Sequence, residues 1–286
     1  MDTKPRKSIT PVQYRKPTAL SRLLFIIAML ICMVLFENCS MGTTSGSLLY
    51  AQGSPTNYFS TTTDVTVEVY YEAGAEPYTG STPQGRPYWG ILESNLDAIF
   101  QYRSSIVNLN IPTTLAQMTN IPAQVKSSWT SKDIVALHQR HHSQTPTASH
   151  ALFYIYFLKG NYSENGAVQN GVLGVSIGGT PVLAIFKDVI QSSGMTANGP
   201  VAKFVEQSTI VHEVGHALGF VNNGVPMVSA HQDTAHGAHT TNSNCVMYWL
   251  NEGASDMALF VQRYLASSSV VMWGPEVLAD AQNFSQ

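Results

Sequence analysis

His212 and His216 stand one helical turn apart, and Glu213 follows the first of them directly, the pattern HExxH. An α-helix carries residues i and i+4 on one face, so both imidazoles project toward one point, where they suit a zinc ion. Glu213 is then within reach of a water held at that ion, where its carboxylate would serve as general base. The surrounding residues agree with a helix from about Ala202 to Gly219. At 100° per residue Ile210, Val211, Val214, Ala217 and Leu218 gather on one side, while His212 and His216 point nearly opposite, with Thr209 beside them. One face would pack into the domain and the other would open on a cleft. Gly219, three residues past the second histidine, can take positive φ, end the helix and turn the chain back toward the same point.

Extended to Gly219, the motif reads HExxHxxG and resembles that of the metzincin clan of zinc endopeptidases. In that clan a third histidine or an aspartate follows three residues after the glycine. Here the position holds Asn222, whose amide oxygen is a poor zinc ligand. The run 244–248, with Cys245, Val246 and Met247, is similar to the clan's methionine turn. The resemblance implies that Met247 packs its thioether beneath the ligands without binding the metal. Five of the nine histidines fall within 212–239, so the third ligand is sought in the loop that follows the helix. His239 is preferred, because its separation from Cys245 and Met247 resembles the archaemetzincin spacing. The inserted loop before it resembles that of leishmanolysin-like members. His231 is the alternative, with Asp233 or His236 as a partner beside it, and His236 and Asn222 also stay open. Archaemetzincins have a further cysteine where this chain has Thr240, so a second, cysteine-bound zinc is not expected.

The resemblance therefore implies one catalytic Zn²⁺ held by His212, His216 and a loop histidine, with Glu213 as base and a protein or peptide as substrate. Many metzincins also place a tyrosine two residues past the methionine. Here Tyr248 is adjacent to Met247 and Trp249 fills the usual place, so a catalytic role for Tyr248 is not expected.

These residues need a frame. Residues 64–71 alternate like a strand, 88–103 have helical spacing, and 106–111 return as a strand. Residues 131–142 begin with a cap and read as a helix whose His138, His141 and His142 form a solvated face. Strands are expected at 151–158, 171–177 and 181–186, then the HExxH helix, then helices at 255–266 and 275–284. The fold class is thus α+β: a metzincin-like zincin domain over 64–286, its mixed sheet backing the active-site helix, with a small, mostly helical C-terminal subdomain. Residues 172–177 are the candidate free edge along which an extended substrate would pair.

Lys4, Arg6, Lys7, Arg15, Lys16 and Arg22 form a basic leader, and 23–36 an apolar run too short to span a bilayer comfortably. With Cys39 after it, the segment 1–39 resembles a bacterial lipoprotein signal. That implies lipidation of Cys39 and an exported, membrane-anchored protein facing the periplasm or exterior. An uncleaved anchor and an ordinary secretory signal are the alternatives. Residues 40–63, rich in Ser, Thr and Gly, read as a flexible tether. The mature domain keeps Cys245 alone, expected as a small buried residue, so no internal disulfide is available. A net charge of −3 and only 12% charged residues give no basic patch, and nucleic acid is not an expected partner. Two other functions compete with peptidase. One is an inactive surface lipoprotein that binds through a protease-like scaffold, which the Asn222 departure favours. The other is a structural zinc site with four protein ligands. Neither gives Glu213 a task.

Overall fold

The computed structural model describes residues 53–194 and 199–285. Strands β1 (Asp64–Glu72) and β5 (His150–Leu158) form its spine, paired in parallel over eight residues. Every residue of β5 from Ala151 to Leu158 is buried, as expected of a strand rich in aromatic and β-branched side chains and covered on both faces. The other strands are β2 (Asn108–Asn110), β3 (Thr119–Ile121), β4 (Ser128–Trp129), β6 (Asn161–Glu164), β7 (Ala167–Gln169), β8 (Gly174–Ser176) and β9 (Val182–Phe186). The main sheet runs β2-β1-β5-β9-β8, and β3 pairs with the far end of β1. All its pairings are parallel except β8 against β9, so β8 is an antiparallel edge strand. A small second sheet, β4-β6-β7, was not foreseen; its strands are two to four residues long, too short to show a period.

Among the described residues seven α-helices accompany the strands: α1 (Pro55–Ser60), α2 (Gly90–Phe100), α3 (Ser131–His141), α4 (Lys187–Ser192), α5 (Pro200–Leu218), α6 (Ala254–Gln262) and α7 (Pro275–Phe284). Side chains alternate across a strand, so β5 shows which helices cover which face. Phe153 stacks on Tyr58 of α1, and Phe157 meets Trp89 at the start of α2. Tyr154 and Tyr156 point the other way, against His138 of α3. Helix α5 carries the HExxH, packs against α2, α6 and β8, and is buried along almost its whole length.

Two expectations are corrected here. The tether read over 40–63 stops short of 63. Pro55–Ser60 are helical, Tyr58 and Phe59 are fully buried, and Phe59 packs edge-on against Phe220 and Phe284. Two aromatics among polar residues are too few to register as a period, yet burying each is worth about 1.5–3 kcal/mol. The histidines of α3 are not a uniformly solvated face either: His138 is 1% exposed. The leader, Cys39 and residues 40–52 of the tether lie outside the described residues. Among the described residues no helix is long and apolar enough to cross a membrane.

A buried ion pair fixes α5 from behind. Lys187 Nζ meets Glu206 Oε2, the Tyr78 amide donates to Glu206 Oε1 at 2.7 Å, and the ammonium lies 3.2 Å from the Tyr78 ring centroid. Burial pushes the Lys187 pKa down and the Glu206 pKa up, and their mutual attraction opposes both shifts.

Candidate metal centre

Helix α5 starts on Gly199 and Pro200, a favoured pairing at a helix N-terminus, and ends at Gly219. Gly219 has φ 90°, and its N–H reaches the carbonyls of Gly215 and His216. That left-handed cap turns the chain, and Val221 and Asn222 continue with positive φ. The following loop then returns His239 to the helix. His212, His216 and His239 converge: their Nε2 atoms stand 3.1 Å (His212–His216), 3.2 Å (His216–His239) and 3.3 Å (His212–His239) apart.

The nitrogen on the far side of two of these rings fixes its tautomer. His212 Nδ1 lies 2.7 Å from the Val246 carbonyl and His239 Nδ1 lies 2.6 Å from the His236 carbonyl. A carbonyl only accepts, so each Nδ1 carries the proton and each Nε2 of the neutral rings presents a lone pair. Asn251 holds the Val246 carbonyl in turn, its amide donating to it at 3.1 Å. Burial, with His239 nearby, pushes the His212 pKa down to about 4, and burial with both partner histidines holds His216 well below the ordinary range. Burial pulls His239 down, but its hydrogen bonds to Glu252 and the His236 carbonyl and the charges of Glu252 and Asp233 together raise it.

Lone pairs this close repel unless a cation lies between them. Zinc–nitrogen bonds of about 2.0–2.1 Å in a tetrahedral site separate the nitrogens by about 3.3 Å, the spacing found here. The donor set fits zinc. Met247 is fully buried against the one position of α5 that lacks a side chain: a methyl on Gly215 would run into Met247 Sδ. Cys245 is buried too; burial pushes its thiol up to about 12, and its sulfur accepts from the Gly274 amide at 3.1 Å.

Glu213 is 4% exposed and faces β8. Burial, reinforced by the charge of Glu252, holds its carboxyl well above the ordinary range, while a hydrogen bond from the Ser176 amide opposes the shift. Gly174 permits the approach: a Cβ there would lie 2.8 Å from Thr209 Cγ2 and 3.1 Å from Glu213 Cγ. A cleft of about 490 Å³ opens over the cluster, bounded by Glu213, His216, His239 and Glu252 on one side and by Val175, Ser176 and Tyr162 on the other.

Not every candidate arrives. His231 is buried but turned away, its Nε2 2.8 Å from Asp280 Oδ2 on α7 and its Nδ1 3.2 Å from Thr240 Oγ1. His236 lies flat on Trp249, ring centroids 3.8 Å apart, and bonds Asp233. Asn222 donates its amide to Gln232 at 3.2 Å. Tyr248 is not among the residues bounding the cleft. One residue was missed. Glu252, at the end of the 3₁₀ turn Trp249–Glu252, brings a carboxylate oxygen 3.2 Å from His239 Nε2, and the four ligand atoms lie within 4.8 Å of one another. No motif marks it; its position, two residues past Leu250 and directly before Gly253, is its only signal.

The chain matches no protein-family model and no curated protein. Among solved structures, a zinc-dependent peptidase from Methanocorpusculum labreanum (strain Z) aligns over 65% of this chain and 91% of that one. The identity is 12% and the TM-score 0.33, a likeness too slight to set fold or function.

Proposed function

We propose that the chain is a zinc-dependent endopeptidase, with His212, His216 and His239 as metal ligands and Glu213 as general base. The observation that carries this reading is the convergence of three imidazole Nε2 atoms, 3.1–3.3 Å apart, beside a buried carboxylate at the floor of an open cleft. Bound there, zinc would supply Lewis acidity to the scissile carbonyl and to the attacking water. Glu213 takes the proton of that water and returns it to the leaving amine. The Ser176 amide orients the Glu213 carboxylate, and the edge of β8 offers main-chain groups to an extended peptide. Met247, packed against Gly215, would fill the space under the ligands.

The leader supports the rest of the proposal. The basic segment, the apolar run 23–36 and Cys39 suit an exported domain anchored through a lipid on Cys39, with the catalytic domain facing the periplasm or exterior. Metabolic labelling with a radioactive fatty acid tests that part, and a label that survives Cys39→Ser removes it.

The test of the activity is zinc content together with cleavage of an unfolded protein by the full chain. One zinc per chain and hydrolysis that is lost in Glu213→Ala, with zinc retained, is the expected result. Hydrolysis persisting in that variant removes Glu213 from the role. A second reading, a structural zinc site with four protein ligands, is favoured by one feature, the carboxylate of Glu252 beside His239. It requires bound zinc with no hydrolysis.

A further inference from the structure

Glu252 meets the site differently from the histidines. Its Oε1 stands 3.2 Å from His239 Nε2, the same spacing as between His216 and His239. With one ring proton of His239 committed to the His236 carbonyl, the contact is bridged either by a second proton on Nε2 or by a cation shared between an imidazole lone pair and a carboxylate oxygen. With the ring neutral the two repel unless a cation lies between them, and the ion that serves the three imidazoles would serve the carboxylate as well.

The anchoring is unequal. The side chains of His212 and His239 are almost wholly buried, and each is tied through Nδ1 to a backbone carbonyl. The side chain of Glu252 is 52% exposed, and among the described residues His239 alone holds its carboxylate. Its backbone has a second attachment. The Leu173 amide donates to the Glu252 carbonyl at 3.4 Å, and Val172 bridges Gly253, so Glu252 rides at the N-terminal end of the β8 edge. A peptide pairing along that edge reaches Glu252 next.

We propose, resting on the metallopeptidase reading, that Glu252 is a displaceable fourth metal ligand, which occupies the open corner in the resting protein and leaves it when a peptide takes the edge of β8. A carboxylate held by a single partner on an exposed turn exchanges readily with a competing ligand, whereas His212 and His239, buried and each tied through Nδ1 to a backbone carbonyl, do not. The site is thereby closed at rest and opened by what it acts on.

Two titrations of the full chain test this with Glu252→Gln, an isosteric change on a half-exposed side chain. A chromophoric chelator measures zinc affinity, and the cobalt(II)-loaded protein reports acetohydroxamate binding through its visible spectrum. The variant should still bind one zinc but more weakly by roughly tenfold or more. It should bind acetohydroxamate roughly tenfold more tightly, because no carboxylate has to leave. Equal zinc affinity in the two proteins overturns ligation by Glu252. Unchanged acetohydroxamate affinity, or zinc lost altogether from the variant, overturns displacement. Glu252→Ala repeats both readings, should the glutamine amide hold the metal on its own. The two proposals fail separately: both titrations as expected with no hydrolysis sinks the peptidase, and hydrolysis with equal zinc affinities sinks the ligand.

Discussion

Two groups of histidines, each with a deeply buried member, sit on different sides of this fold. Burial pushes His212 down to about 4, helped by His239, and it pushes His138 down to about 4, helped by His142. Judged by acidity alone the two are alike. They differ in where the ring nitrogens point. In the first group three Nε2 atoms converge at 3.1–3.3 Å over an open cleft. In the second the rings of His138 and His142 stack at 4.5 Å, His138 Nδ1 lies 3.2 Å from the Tyr156 hydroxyl, and His138 Nε2 is buried with no partner among the described residues. A depressed histidine pKa therefore reports burial, and direction of the lone pairs decides whether a metal can be held.

The largest effect should come from setting one group against the other. His239→Ala removes a ligand and should empty the site, a loss beyond the roughly 10–100-fold caused by disturbing a ligand's partner. His138→Phe should keep one zinc per chain. Zinc analysis of both purified variants checks this. Metal lost from the His138 variant, or kept by the His239 variant, breaks the distinction.

That distinction was only half legible in the sequence. HExxH and Gly219 are local signals, because helical spacing alone sets His212 against His216 and a glycine readily takes the left-handed turn. The long strands β1 and β5 were likewise legible, since 64–71 alternate with the period of a strand and 151–158 are an unbroken apolar run rich in aromatics. What escaped depends on distant partners. His138 looks like any histidine of a polar helix until Tyr154 and Tyr156 of β5 cover it. Glu252 becomes a neighbour of His239 only because Leu173 and Val172 hold its turn against the end of β8. His231 could be weighed against His239 but not separated from it, because Asp280, which claims it, is 49 residues away.

The second group should show itself in stability against pH. The His138 pKa is about 6.5 unfolded and about 4 folded, so between those values the unfolded chain binds more protons. Stability from this residue is present above pH 6.5 and is lost as pH falls toward 4. At about 1.4 kcal/mol per unit the loss is at most about 3 kcal/mol. Urea denaturation of zinc-loaded protein between pH 7 and 4.5 measures it, and His138→Phe should flatten the decline. An unchanged slope would mean that other groups set the acid limit.

A third histidine arrangement sharpens the contrast. His231 faces Asp280, which also accepts from the Val228 amide at 2.7 Å, so the pair ties the loop bearing His239 to α7. His231→Ala should retain one zinc while losing about 1.5–3 kcal/mol of stability, the worth of a hydrogen bond to a charged group. Loss of zinc equal to that of His239→Ala would instead make His231 a ligand.

The smallest effect lies within the stacked pair. His142 Nδ1 is 2.8 Å from the His138 carbonyl and its ring covers that of His138, so a charge on His142 opposes a charge on His138. Burial is the larger cause of the shift, so His142→Ala should move His138 only part of the way back toward 6.5. A higher folded pKa narrows the interval over which the unfolded chain holds the extra proton. The variant should then lose less stability on acidification than the parent, by a fraction of the about 3 kcal/mol available. NMR titration of the His138 ring reads the shift directly. Should its pKa stay where it was, burial alone sets it. The stack then contributes packing and no electrostatics.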